Sequence, residues 1–166
     1  MLITLKAVTK ENYEPVCLLD VSDEQEEYVA SNTWSLVEAA YNENYTIRAI
    51  YCSDEPVGLF MWVQENSTRI SIWRFMIDKH HQNKGIGRQA LSLALTEIKQ
   101  TESITEIEIC YNPSNPVAKS FYSSFGFSEV GMDKDSEDML ALIYLKKESV
   151  KETANKRPDL GLANLH

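Results

Sequence analysis

The chain has 166 residues, 43% of them apolar and 25% charged, which suits one compact domain with a full core and excludes wholesale disorder. Its longest apolar run, Val57–Val63, is far short of the ~20 residues a bilayer span needs. A net charge of −9 argues against a sequence-independent nucleic-acid binder. Met1–Lys10 holds no apolar leader segment, and Cys17, Cys52 and Cys110 are scattered without a C-x-x-C pair. Reduced thiols in a cytoplasmic protein are the expectation.

Leu2–Val8 alternates apolar and polar residues and predicts a first strand. Glu11–Asp20 predicts a short helix around Pro15, and Ser22-x-x-Gln25 predicts the cap of a longer one reaching about Asn42. In that longer helix Val29, Thr33, Leu36, Val37 and Ala40 would form the apolar stripe. Strands are expected over Tyr45–Cys52, Val57–Gln64 and Arg69–Ile77. Gly85–Gln100 follows as a helix turning Ile86, Ala90, Leu93, Ala94 and Ile98 inward. Thr105–Cys110 reads as a strand, Pro116–Ser124 as a helix, and Phe127–Met132 with Met139–Leu145 as two closing strands. The order is that of an α/β domain with a mixed sheet. Ser149–His166 lacks periodicity and reads as a poorly ordered arm or a contact with a partner subunit.

The acid is unevenly placed. Between Glu11 and Ile47 stand Glu11, Glu14, Asp20, Asp23, Glu24, Glu26, Glu27, Glu38 and Glu43, with no Lys or Arg among them. The rest of the chain is balanced, so the whole net charge sits in one early segment. Such a run is ordinarily a solvated helix face, but beside a binding cleft it would concentrate a cationic partner.

In Asp78-Lys79-His80-His81-Gln82-Asn83-Lys84-Gly85-Ile86-Gly87-Arg88 a strand runs into a polar loop and then into glycines that open a helix. Free N–H groups and the dipole at such a terminus favour an anion. Lys84 and Arg88 have the wrong sign for a helix N-terminus, so they too suggest an anionic ligand. Gly85-x-Gly87-x-x-Ala90 matches a dinucleotide fingerprint, but the seven residues Asp78–Lys84 separate it from its strand. His80 and His81 are adjacent and poorly placed to chelate one ion, and no metal site is expected. Further on, Asn115, Lys119 and Tyr122 are spaced to share one helix face, with Val117, Phe121 and Phe125 directed to the core.

Gln82-x-x-Gly85-x-Gly87 behind a strand resembles the acetyl-CoA pyrophosphate loop of the GNAT-type N-acetyltransferase superfamily. The stretch from Asn115 through Ala118, Phe121 and Tyr122 to Gly126-Phe127 resembles that superfamily's Asn-x-x-Ala-x-x-Phe-Tyr-x-x-x-Gly-Phe segment. Gln25–Ala39 and Trp73–Gly87 are similar to bacterial spermine/spermidine N-acetyltransferases. The resemblance covers residues 1–147 and leaves 148–166 as a tail. It implies a single α/β domain whose central sheet is mixed but mostly antiparallel, with a splayed strand pair and flanking helices.

It also implies an activity, acetyl transfer from acetyl-CoA to a primary amine of a polyamine by direct attack in a ternary complex. Phe75, Met76 and Ile77 would hold the thioester. Gln82, Asn83, Lys84, Gly85, Ile86, Gly87 and Arg88 would hold the pyrophosphate, and Asn115 and Lys119 the pantetheine and phosphate part. Tyr122 would protonate the departing thiolate. Asp20, Glu24, Glu27, Trp34 and Trp73 would line the acceptor side, with Tyr28 a further aromatic there. Trp73 stands where many polyamine acetyltransferases have a carboxylate, which leaves a water relay to Glu24 or Glu27 as the expected base. Another cationic amine (an aminoglycoside or a protein N-terminus) and a non-catalytic CoA-binding domain remain as alternatives, and a homodimer is possible.

Overall fold

The computed structural model describes residues 1–146, so the proposed tail lies outside the described residues. Seven strands form one sheet: β1 (Ile3–Ala7), β2 (Tyr45–Cys52), β3 (Glu55–Gln64), β4 (Arg69–Ile77), β5 (Glu106–Tyr111), β6 (Ser128–Met132) and β7 (Met139–Tyr144). Their spatial order is β1-β2-β3-β4-β5-β7-β6, and only β4 and β5 run parallel. Four helices flank them: α1 (Tyr13–Cys17), α2 (Asn32–Tyr41), α3 (Ile86–Ile98) and α4 (Ala118–Ser123). A 3-10 helix, Asp23–Tyr28, lies between α1 and α2.

The sheet is covered on both faces, as the unbroken apolar run of β3 requires. Ile86, Ala90, Leu91, Ala94 and Ile98 of α3 pack with Val57, Phe60, Ile72 and Ile109 on one face. On the other, Val16 of α1 packs with Ala49, Leu59 and Met76. Leu93, expected inside, is 38% exposed, because Leu91 and Leu95 take the inward positions of α3.

The single helix expected from Ser22 to Asn42 is broken in two. Val29 is extended (φ −147°, ψ 136°), and Ser31 starts α2 afresh by accepting the Trp34 N–H on its hydroxyl at 3.1 Å. A second good cap inside the segment offers the backbone a better bond than continued helix. The restart also turns α2. Asn32 and Ser35 face inward while Val37 and Trp34 face out. Asn32 Nδ2 donates to Val16 O at 2.8 Å and lies 3.6 Å from Met76 Sδ, tying α2 to α1 and to β4.

Two irregularities in β4 matter most. The β3–β4 register slips between Met61 and Trp62, so that Met61 faces Arg74 but Trp62 faces Ile72. Trp73 is the extra residue of that bulge, and the strand bends there. Pairing of β4 with β5 ends at Ile72 opposite Ile109. Beyond that point the strands separate, and among the described residues Trp73–Ile77 has no strand partner on that side. Behind the bend, a Cβ on Gly58 would lie 2.4 Å from the Met76 carbonyl oxygen, so this crossing admits only glycine. Gly58→Ala is therefore expected to cost about 1–3 kcal/mol, lowering Tm by roughly 2–4 °C per kcal/mol. An unchanged melting curve would show that the strands can part freely there.

Candidate functional site

The separation of β4 from β5 opens a cleft of about 510 Å³. Its walls come from β4 (Trp73–Ile77), the loop after it (Gln82, Asn83, Gly85), the ends of β5 and α4, and the 3-10 helix (Gln25, Tyr28). The direction of the free backbone groups follows from two bonds. Asp78 N–H donates to Val57 O of β3 at 2.8 Å, whereas Ile77 O accepts from Gln82 Nε2 at 2.9 Å. Backbone groups alternate sides along a strand, so the N–H groups of Phe75 and Ile77 point away from β3 into the opening.

The loop after β4 delivers a helix N-terminus to the same cleft. Asn83 (φ 60°) and Gly85 (φ 77°) are left-handed, a conformation open to glycine and tolerated by asparagine. They reverse the chain so that α3 starts directly at the cleft. The first intrahelical bond is Gln89 N–H to Gly85 O, which leaves the N–H groups of Ile86, Gly87 and Arg88 without intrahelical partners. Nothing lies within 4 Å of where a Gly85 Cβ would be, and Gly85 and Gly87 both line the cleft. Lys84 precedes the cap rather than lying in the first turn, and its Nζ donates to His80 O at 2.8 Å. Arg88 turns toward α4, bonding Ser124 Oγ at 3.0 Å with its guanidinium 4.9 Å from the Phe125 ring centre. Both cations thus already have protein partners.

Asp78 braces this loop. Burial alone would raise its pKa, but N–H donors from Asp20 (3.0 Å) and His80 (3.0 Å) outweigh that and hold the carboxyl below its ordinary range. His81 sits between Asp78 and Glu55, at 3.4 and 3.5 Å. Among the described residues no group of three His, Cys, Asp or Glu side chains could hold a metal ion.

Opposite β4, Tyr122 reaches the cleft from α4. Its ring stacks on Tyr111 at 5.3 Å and meets Phe127 edge-on at 6.1 Å. Burial, then the neighbouring Cys110 and Tyr111, push its pKa well above the ordinary phenol value. The group stays protonated at any physiological pH and can donate a proton but not hold a negative charge cheaply. Burial likewise pushes the Cys110 thiol, also in the cleft wall, up to about 12.

Of the residues expected at a cofactor site, Phe75, Met76, Ile77, Gln82, Asn83, Gly85, Gly87, Arg88 and Asn115 line this cleft. Three do not. The Ile86 side chain is in the core, so only its N–H is available there. Lys84 is drawn back to His80. Lys119, 74% exposed, pairs with Glu129 of β6 at 2.9 Å and is drawn away from the cleft by that partner. Val117, expected in the core, is 61% exposed, because α4 begins only after it, at Ala118. On the acceptor side, Trp73 lines the cleft, its Nε1 donating to Glu65 at 3.0 Å and its ring edge-on to Tyr45. Asp20 instead holds Lys79 at 3.3 Å. Trp34 is 60% exposed on the outer side of α2, and Glu24 and Glu27 stand on the 3-10 helix beside the cleft residues Gln25 and Tyr28. No carboxylate lines the cleft among the described residues.

Sequence reasoning missed Arg74. It lines the cleft and pairs with Glu38 of α2 at 3.2 Å, while its Nε is buried without a partner. The available signal was a charge within the apolar run Ile70–Ile77. Cys110 and Gln25 were also missed, and single residues of those types carry no comparable signal.

Residues 9–127 match the model of the Acetyltransferase (GNAT) family. The chain belongs to that family. Two Bacillus subtilis proteins are similar to it over 148 residues, 84% of this chain and 97% of theirs. One, from subspecies natto, is a probable spermine N(1)-acetyltransferase at 29% identity, and the other a spermine/spermidine N(1)-acetyltransferase at 28%. Among solved structures, the fold matches Vibrio cholerae spermidine N-acetyltransferase in complex with CoA and spermine (TM-score 0.69, 17% identity, 86% of this chain and 95% of that one). The open seven-stranded mixed sheet with flanking helices is the fold of these neighbours.

As a GNAT acetyltransferase the protein uses acetyl-CoA, which supplies the acetyl group as a thioester. The cleft fits that cosubstrate on its own chemistry: orphan N–H donors at a helix terminus for phosphate, and free strand N–H groups at Phe75 and Ile77 for carbonyl oxygen. Among the described residues no helix is long and apolar enough to cross a membrane.

Proposed function

We propose that this enzyme acetylates a primary amine of a polyamine. The reading rests on one juxtaposition. The acid-bearing 3-10 helix borders the same cleft that the β4 opening and Tyr122 share. Of the nine early acids, Glu38 is matched by Arg74, Asp20 by Lys79 and Glu11 by Lys10. Asp23, Glu24, Glu26 and Glu27 of the 3-10 helix have no ion-pair partner among the described residues. Uncompensated charge beside an opening attracts a polycation.

In this reading the N–H groups of Ile86, Gly87 and Arg88 receive the pyrophosphate, and those of Phe75 and Ile77 receive the thioester oxygen as it gains charge. Tyr122 gives its proton to the leaving sulfur. The amine attacks directly, since Cys110, the cleft's thiol, stays protonated and is a poor relay nucleophile. With no carboxylate in the cleft wall, the amine's proton leaves through water toward Glu24 or Glu27.

The test is acetyl transfer to spermine, spermidine and a monoamine with release of free thiol. KM should be lowest for spermine and highest for the monoamine. It should also rise with salt, because exposed charges are screened over about 8 Å at physiological ionic strength. Neutralising Glu24 and Glu27 to Gln should raise the polyamine KM and flatten its salt dependence. A salt-insensitive preference for a singly charged or neutral amine would defeat the assignment, and CoA binding without turnover of any amine would point to a non-catalytic domain.

Arg74 favours a second reading. A fixed cation in the acceptor wall suits an amine with an oxygen close by, such as a protein N-terminus. Faster turnover of a peptide N-terminus than of spermine, abolished by Arg74→Gln, would establish it.

A further inference from the structure

The 3-10 helix buries none of its side chains. Val21 before it is buried, and Val29 after it packs on the cluster of Val16, Leu59 and Met76, so apolar contacts peg only the two ends. Between those pegs the long-range side-chain bonds run to the cofactor side of the cleft. Gln25 Oε1 accepts from Gln82 Nε2 at 2.8 Å, and the Tyr28 hydroxyl donates to Ser114 O at 3.4 Å, just before Asn115. At the entry to the segment, Lys79 N–H donates to Asp20 O at 2.8 Å.

Gln82 is the junction. Its amide group has two N–H donors. One contact goes to Gln25 and the other to Ile77 O at the end of β4, at 2.8 and 2.9 Å. The side chain that heads the phosphate-loop motif is therefore spent on protein, which leaves the backbone of this loop to hold phosphate. The same amide joins three parts: the loop, the strand end that faces the thioester, and the helix that carries the uncompensated acids.

We infer that Gln25 is a positioning residue through which an occupied cofactor loop fixes the acid-bearing helix and so raises affinity for the cationic acceptor. This rests on the polyamine reading above. Fixing the loop on pyrophosphate removes its freedom and, through Gln82, that of the helix, so the acceptor meets carboxylates already in place. Coupling of this kind is reciprocal and typically changes affinity 5- to 150-fold. Direct attraction between anionic CoA and a cationic acceptor also contributes, but it does not pass through Gln25.

The experiment is calorimetric titration of spermine with and without saturating CoA, for the wild type, Gln25→Leu and Gln25→Glu. The Leu variant has similar size and no acceptor, whereas Glu keeps an oxygen for Gln82 and for the Ser22 N–H that Gln25 also accepts at 3.4 Å. The ratio of the two spermine affinities should fall about fivefold or more in Gln25→Leu and return to the wild-type value in Gln25→Glu, whatever the added charge does to each affinity singly. An unchanged ratio in the Leu variant would overturn the inference. If spermine fails to bind the wild type in either state, the acceptor assignment falls, and amide hydrogen exchange over residues 23–28 decides the coupling separately. CoA should slow exchange there in the wild type and not in Gln25→Leu. The same CoA effect in both proteins, or in neither, rejects the coupling.

Discussion

Tyr122→Phe should lower kcat by about 10²- to 10⁴-fold, the contribution of a well-placed general acid, while leaving stability nearly unchanged. The ring keeps its stack on Tyr111 and its edge contact with Phe127, and no side-chain hydrogen bond holds its hydroxyl among the described residues. The pH profile adds a second check. The attacking amine must be neutral, and its free pKa is near that of lysine, about 10.4, so kcat/KM should climb toward alkaline pH. The raised Tyr122 pKa keeps the phenol protonated across that range, so no descending limb should appear below about pH 10. In the Phe variant the climb should persist at lower amplitude. An unchanged kcat under conditions where chemistry limits turnover would make Tyr122 a packing residue. A descending limb centred near pH 10 that Tyr122→Phe removes would show the phenol ionising as an ordinary one does.

Gly85→Trp should weaken CoA binding by about 10²- to 10⁴-fold, with KM rising in parallel. At φ 77° any side chain is strained, at about 1–2 kcal/mol, which a domain of this size survives. The larger effect is steric, because the side chain would enter the cleft that Gly85 lines, beside the N–H groups of Ile86, Gly87 and Arg88. Losing two charge-assisted hydrogen bonds at about 1.5–3 kcal/mol each gives the stated range, at 1.4 kcal/mol per tenfold. Circular dichroism should show a folded protein and calorimetry the lost affinity. A folded variant that binds CoA as tightly as the wild type would move the pyrophosphate elsewhere.

The difference between these two residues is instructive. Gly85 was legible in the sequence because its setting is local: a polar loop, a glycine pair and a helical stripe within a few turns of chain. Tyr122 was legible as a helix residue near Asn115, but Lys119, three residues before it in the same helix, is drawn out to Glu129. Glu129 lies on another element, β6, and spacing within one helix does not encode such a partner. The Ser22–Asn42 segment failed similarly. Two caps compete within it, and contacts of Asn32 with Val16 and Met76, far away in sequence, accompany the break at Val29.

By itself the sequence determined the alternation of strands and helices, the segregation of acid into one early segment, and the glycine loop that opens α3, because each depends on neighbours a few residues apart. Only the tertiary structure decided how the cleft is built. The bulge at Trp73, the parting of β4 from β5 after Ile72, the Arg74–Glu38 pair and the Gln25–Gln82 bond join residues 36 to 57 positions apart in the chain or depend on register between strands. Such pairings are set by the packing of the whole sheet against both helical layers, and no period or motif within one element encodes them.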